Sequence, residues 1–585
     1  MEAKGESTGR RLAPGGPGND SRESDTSLHA GPAWRLNRIG TLASLIKSVK
    51  RPEIIAVVAI TALAAAIRLR HLGEQSIWID EATSVTMATM PLRAMWHVVG
   101  AHETNMALYY LILRVWVALF GQSETAVRLP SALASIATVP VLYCAGRRMF
   151  GTTAGIVAAL LLALAPSSAL WAQQARGYSM EALGVAGSLL FFMRMLDRPS
   201  AGNLAGWTLT VAFAIHCHSL AATIVPAELV VLPLRDVRTL PWRRLGVALA
   251  ALAVLVGPYL MLLVHIRMPL IHIWRLLVHN RMLLVHNRIL LAHNDHGTLT
   301  FLGPPSWAGA TATLYGMLNG MAPETSGHMM VMASVFGMLL GVVGFVRAWD
   351  ESRERAIPCA LAASGVVVPL ALISLESLHD NLLFYRYLIF TTPALCLFIA
   401  GGISALRGWR VRSLALLGLV AASAWQTSVT LQFVRAEPWR EVASSIKAMG
   451  RPGDALVTYS AEDRYALDYN LVRLGVPQGY FVDAYPDWDE NFEIDHHYIH
   501  DRETQLMFAQ HLLDAIDSSS AQGRSLFLVI RRGNGSTGFP GDASIKGIMQ
   551  RLSSLYAVVK YRGIGDLYVF YFHQSAPSSP PKHGP

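Results

Sequence analysis

The feature that most constrains this chain is a succession of apolar runs, at 54–72, 126–146, 152–171, 178–196, 203–218, 219–234, 245–266, 328–347, 356–375, 383–405 and 412–432. Each is close to the ~20 residues that an α-helix needs to cross ~30 Å of hydrocarbon. Of 585 residues, 52% are hydrophobic and 15% charged, whereas a soluble chain carries about 25% charge. The reading is a mainly α protein: a polytopic helical bundle of about eleven spans, with helices lying at the membrane surface. Cys144, Cys217, Cys359 and Cys396 all fall inside or at the edges of apolar runs. There they act as small hydrophobes, and no disulfide framework or metal knuckle is implied.

The net charge of +9 is no nucleic-acid signal, because Lys and Arg gather at the ends of the apolar runs, as the positive-inside rule requires. Arg147-Arg148, Arg194…Arg198, Arg235…Arg244, Arg347…Arg355 and Arg407…Arg412 occupy every second connection. The alternation holds if Leu108–Phe120, short and carrying Arg114, lies in the outer interface instead of spanning. Residues 1–50 then form a disordered, basic, cytoplasmic tail, followed by an uncleaved first span. The outer side collects loop 73–125, the turn near 172–177, loop 267–327 and everything beyond about 433. Arg68, Arg70 and His71 stand at the outer end of the first span, against the rule, as snorkelling residues or as part of a phosphate-handling surface.

The first outer loop reads Ser76-Ile-Trp-Ile-Asp80-Glu81-Ala-Thr-Ser. Neighbouring carboxylates on a helix point to different faces, so the pair divides its work, unless it merely marks a helix start. Further along come Leu108-Tyr-Tyr, Leu119-Phe-Gly121, Arg128-Leu-Pro, Gly146-Arg-Arg-Met-Phe-Gly151, Gln173-Gln-Ala-Arg176-Gly-Tyr178 and Arg386-Tyr387 before Pro393. This ordered series resembles the C-type glycosyltransferases of the protein-mannosyltransferase and aminoarabinose-transferase superfamily, in particular the bacterial RgtA/B/C/D-like branch. The resemblance covers about 50–435.

The resemblance implies transfer of a sugar from a polyprenyl-phosphate carrier, with Asp80 as catalytic base or acceptor-positioning group and Glu81 in support. The chemistry asks for such groups. An attacking hydroxyl must lose a proton to a positioned base, and the departing lipid phosphate needs fixed cationic donors. Arg386 and Arg176 are the candidates, because a guanidinium fork holds two phosphate oxygens. Tyr387 and Tyr178 adjoin them. Either arginine also reads as a headgroup-layer residue.

His218, Asn105 and Tyr109 are candidate contacts to acceptor or phosphate. His216 and His218 alone are too few for a metal site. The segment Asn105-Met106-Ala107 departs from the family, many of whose members carry a cation before two prolines there. No aspartate accompanies Gln173-Gln-Ala-Arg176, so a second catalytic carboxylate is unsupported. No metal ligands and no required cofactor are expected, with a divalent ion left open.

His265, His272, His279, His286 and His293 recur every seven residues beside Arg275, Arg281 and Arg288. Duplication of a short unit explains the period, and a basic amphipathic surface helix is its physical form. Phe301-Leu-Gly-Pro-Pro-Ser-Trp307 resembles a lid loop of these enzymes.

Beyond residue 436 the pattern changes to a small extracytoplasmic α/β domain, 436–573, with strands near 455–459, 479–482, 526–530 and 567–572 and helices near 439–447 and 503–516. An acidic, aromatic loop (Asp483 to Asp495) and a disordered tail (574–585) complete it. The expected setting is a bacterial inner membrane, with a glycan, lipid or protein as acceptor. A lipid-linked sugar transporter is the competing class, and an inactive assembly scaffold is a third. A transporter calls for repeat-related halves and a buried acid at mid-span, and neither is visible in the sequence.

Overall fold

The computed structural model describes residues 51–101, 104–265, 311, 313, 315–316, 324–377, 382–433, 437–459, 463–477, 479–483, 502–531, 545–556 and 558–573. The terminal tails, the histidine stripe beyond His265, the Phe301–Trp307 segment and nearly all of the acidic loop lie outside them. Among the described residues, eight helices are long and apolar enough to cross a membrane, or nine if one bent pair counts as a single span.

In order, the helices are α1 (Arg51–Leu69), α2 (Ile79–Thr89), α3 (Leu92–Ala101), α4 (Ala107–Phe120), α5 (Glu124–Phe150), α6 (Thr152–Ala163), α7 (Pro166–Ala172), α8 (Tyr178–Asp197), α9 (Ala201–Cys217), α10 (Ile224–Leu229), α11 (Trp242–His265), α12 (Glu324–Glu351), α13 (Arg353–Glu376), α14 (Thr392–Ala405) and α15 (Trp409–Phe433). Two of the eleven expected spans fall short. At 17 residues, α9 rises only about 26 Å. Ser219–Leu234 is broken into a 3₁₀ turn, α10 and a second 3₁₀ turn, because Pro226 and Pro233 each remove a backbone donor.

Without water in the bilayer, helices associate through close packing of small residues. A methyl on Gly146 of α5 would lie 2.9 Å from the Gly155 Cα of α6, and one on Gly402 of α14 would lie 2.3 Å from backbone atoms of Leu340 on α12. Both positions need glycine.

The α6–α7 pair bends by 57°, where Pro166 opens α7. A bend inside hydrocarbon must satisfy the carbonyls it frees. Arg68 does this. Its guanidinium, 0% exposed, donates to Ala163 O at 2.9 Å, Leu162 O at 3.0 Å and Ser135 Oγ at 2.7 Å, while Thr427 Oγ1 takes Leu164 O at 2.7 Å. Arg68 therefore neither snorkels nor reaches a phosphate. It caps a broken helix, where the C-terminal dipole welcomes a cation.

After α15 come α16 (Trp439–Met449), β1 (Ala455–Tyr459), α17 (Asp463–Arg473), β2 (Val482–Asp483), α18 (Arg502–Ala521), β3 (Leu526–Arg531), α19 (Ile545–Leu555), β4 (Val558–Ile564) and β5 (Leu567–His573). They form a sheet ordered β2-β1-β3-β5-β4. β1 pairs parallel with β2 and β3, and β5 runs antiparallel to β3 and β4. Gly565, at φ 58°, opens the two-residue β4–β5 turn.

This layer is fastened to the loop after α1 and to the entry of α5. Tyr469 Oη donates to Gln122 O at 2.6 Å, Arg440 Nη2 pairs with Glu124 at 2.7 Å, and Arg440 N donates to Ser76 Oγ at 3.1 Å. Arg531, at the end of β3, ties Glu437 to the buried Asp463, the latter at 2.6 Å.

Candidate active site

Asp80 and Glu81 sit in the first turn of α2 and point apart, as adjacent helix positions must. Glu81 turns inward and is fully buried. Arg128 of α5 grips both its oxygens, Nε to Oε1 and Nη2 to Oε2, each at 2.7 Å. Ala175 N donates to Oε1 at 2.8 Å. The same guanidinium holds the carbonyls of Leu72, Gln75 and Ser76 at 2.9–3.0 Å. Glu81 and Arg128 thus lock the 72–81 loop onto α5 and onto the turn that carries Arg176.

Asp80 faces the other way, into an ion pair with Arg386. Arg386 lies in the 3₁₀ segment Tyr385–Thr391 ahead of α14. Its guanidinium is stacked on Phe384 and Tyr387, 4.7 and 5.4 Å from the ring centroids. Arg176 reaches the same point from the turn between α7 and α8. Its Nη1 donates to Asp80 O at 3.2 Å and to Ser84 Oγ at 3.3 Å, and its guanidinium stands 5.9 Å over Tyr178. Trp78 Nε1 donates to Gln174 and steadies that turn.

The other expected residues gather around this core. His218, at the end of α9, lies between Tyr178 (centroids 5.4 Å) and Tyr387 (5.7 Å). Asn105 Oδ1 accepts from Ser219 Oγ at 2.6 Å. Tyr109 is buried in α4 beside Gly177, where any side chain would collide with Cys217 O at 2.7 Å and crowd Tyr109 Cβ at 3.3 Å. His216 does not join them. It stacks on Tyr259 of α11 at 4.9 Å, so the two histidines of the His-x-His motif face different neighbours. Among the described residues, no group of three or more His, Cys, Asp or Glu is placed to hold a metal.

Three contributors escape a reading of the sequence. Arg128 carries a motif but no role until Glu81 is seen in its fork. Glu181, in the first turn of α8, and Glu228 of α10 are both fully buried, and Glu228 is an acid buried midway along the 219–234 run, which the sequence does not make visible. Glu228 sits in a run apolar enough to pass as a span, and Trp207 Nε1 satisfies one of its oxygens at 2.6 Å.

With this geometry in view, likeness to known proteins becomes informative. Residues 106–261 match the family model described as dolichyl-phosphate-mannose-protein mannosyltransferase. Among solved structures, ArnT from Cupriavidus metallidurans bound to undecaprenyl phosphate superposes with TM-score 0.55 at 14% identity, over 88% of this chain and 97% of that one. The fold is that of the C-type membrane glycosyltransferases. The Archaeoglobus fulgidus oligosaccharyltransferase tethered to an acceptor peptide shares it, at TM-score 0.50 and 10% identity, over 91% of this chain and 75% of that one. The archaeal enzyme AglB from the same organism, in complex with an inhibitory peptide and a dolichol-phosphate, does so at the same score. No curated protein matches in sequence.

Proposed function

We propose that this chain transfers a sugar from a polyprenyl-phosphate donor to an extracytoplasmic acceptor, a lipopolysaccharide, polysaccharide, cell-wall polymer or protein. The observation that carries the reading is the convergence of Asp80, Arg386 and Arg176: one carboxylate and two guanidiniums drawn from three distant parts of the chain. Support also comes from ArnT of the same fold, whose structure holds undecaprenyl phosphate. In this reading Arg386 and Arg176, flanked by Tyr387 and Tyr178, bind the donor phosphate, and His218, Asn105 and Tyr109 line the acceptor or phosphate side.

A single displacement follows. The acceptor hydroxyl attacks the anomeric carbon and gives its proton to Asp80. The bond from that carbon to the phosphate oxygen breaks, its electron pair stays on the oxygen, and the guanidiniums take up the growing charge. The configuration at the sugar inverts. Before the donor arrives, Arg386 neutralises Asp80. A phosphate that draws Arg386 away leaves the carboxylate free to act as base. Glu81, in the fork of Arg128, holds the loop that presents Asp80.

The proposed setting is a bacterial inner membrane with a cytoplasmic N-terminus. The site and the C-terminal layer, proposed as a domain over 436–573, face outward. A sugar-lipid transporter is the second reading, favoured by Glu228 and the broken helices, features that transporters share. The two separate in one experiment: purified protein with undecaprenyl-phosphate-linked sugars and candidate acceptors, read by mass spectrometry. A glycosylated acceptor that is absent with Asp80→Asn supports the transferase. Sugar-lipid movement across proteoliposomes without any glycosylated product would replace it with the transporter.

A further inference from the structure

We infer that Glu181 is a positioning residue for His218, and that the two share one proton which His218 passes to the lipid phosphate as the sugar leaves. This rests on the transferase reading and assigns the proton that the reading leaves out. Glu181 lies one turn into α8 and is 0% exposed, and neither of its carboxylate oxygens has a hydrogen-bond partner among the described residues. Oε1 faces His218 Nδ1 at 3.6 Å, and that nitrogen is likewise buried without a partner. Two such atoms are costly to bury apart. A proton between them answers both, and the pair is then neutral whether the proton rests on the ring or on the carboxyl group.

With Nδ1 turned to Glu181, the opposite ring nitrogen is the one left for a substrate. The ring is held between Tyr178 and Tyr387, the same tyrosines over which Arg176 and Arg386 lie. A phosphate gripped by those guanidiniums therefore meets His218. The charged and titratable groups around the pair are Arg176, Arg386, Tyr387 and Tyr178, with Cys217 behind. Two nearby guanidiniums repel an imidazolium, and an anionic phosphate set between them removes that repulsion.

The step balances. As the new bond to the anomeric carbon forms, the acceptor's proton goes to Asp80. The breaking bond leaves its electron pair on the phosphate oxygen, and the Nε2 proton of His218 moves onto that oxygen as the proton shared with Glu181 settles on Nδ1. Asp80 then gives its proton to water, and the Glu181–His218 pair takes one from water.

The test uses the full-length protein in nanodiscs, with undecaprenyl phosphate as the probe and binding measured from pH 6 to 8 relative to wild type. Without its carboxylate partner, the ring of Glu181→Gln keeps its proton only at the acid end. The ratio of its Kd to that of wild type should therefore rise about tenfold across the range, the size of one charge-assisted hydrogen bond. His218→Asn retains a donor toward Glu181 but cannot reach the phosphate, so it should bind more weakly by a constant factor. A ratio for Glu181→Gln that stays flat with pH overturns the proposal and leaves the transferase reading standing. Should Glu181→Gln not fold, unchanged binding in His218→Asn overturns it equally. If wild-type protein does not bind undecaprenyl phosphate at all, the transferase reading itself falls, and the proton pair with it.

Discussion

Asp80 and Arg386 stand 306 positions apart in the chain and meet as an ion pair, with the guanidinium stacked between two aromatic rings. A carboxylate so held is aimed but is not yet free. A group that competes for Arg386 is therefore also the group that releases the base. In the proposed reaction, donor binding and base activation become one event.

Asp80→Asn should lower turnover by roughly 10²–10⁴, the usual contribution of a positioned base. It should leave undecaprenyl phosphate binding intact or tighter, since Arg386 loses its resident partner. Near-normal turnover in this variant would remove Asp80 from the mechanism.

Glu81→Gln should behave in a different way. Leaving Arg128 buried without its counter-charge is expected to cost about 3–5 kcal/mol, visible as a large drop in the detergent melting temperature. Replacing Arg128 with Met in the same background should recover part of that loss. A Glu81→Gln protein that melts like wild type yet turns over no sugar would show that Glu81 takes a direct part in the chemistry.

At the phosphate, Arg386→Lys keeps the charge and loses the two-pronged fork, so activity should fall. Arg386→Ala should fall further. Two guanidiniums match the charge of a lipid monophosphate, so turnover is expected to survive EDTA. Abolition by EDTA with rescue by a divalent ion would bring a metal into the site.

In the soluble layer, burial pushes the Asp463 carboxyl up to about 6, against the opposing pull of Arg531. An unfolded aspartate titrates near 3.9, so the folded state holds the extra proton between about 4 and 6. That contribution to stability is full below about 4 and is lost as pH rises through about 6. Asp463→Asn should therefore raise the melting temperature at pH 7.5, and the gain should shrink toward pH 4.5. Arg531→Met should lower it at pH 7.5, because Glu437 and Asp463 would then share no cation. Equal effects of Asp463→Asn at both pH values would contradict the assignment.

The sequence makes the bundle legible because hydropathy reports what each stretch must face. It also singles out Asp80, Arg176 and Arg386, which the structure brings together, since charge beside an apolar run needs a reason. It cannot reveal which face of α2 each acid takes, and so leaves Glu81 beside Asp80 when its partner is Arg128. α17 and β4 escape for another cause. Asp463-Arg-Tyr-Ala-Leu-Asp shows little apolar period, and β4 is an edge strand whose middle is exposed. β4 buries little and so leaves little pattern, whereas α17 buries the polar Asp463 and Asn470 beside Ala466, Leu467 and Leu471, which breaks its apolar period. Glu181 and Glu228 are hidden by the opposite circumstance, single acids inside runs that average apolar.

The Arg68 guanidinium has one further meaning. Its bonds to Leu162 and Ala163 make the opening span a structural member of the bundle. An anchor of generic leucines in its place would still reach across the bilayer, yet it would leave the kink in the third span with bare carbonyls in oil. Fusions or signal-sequence swaps that replace residues 51–69 should therefore disturb the turn bearing Arg176, whose Gln173 side chain donates to the carbonyls of Ile67, Arg68 and Arg70. A change made to α1 for expression alone would be felt in the architecture that carries Arg176.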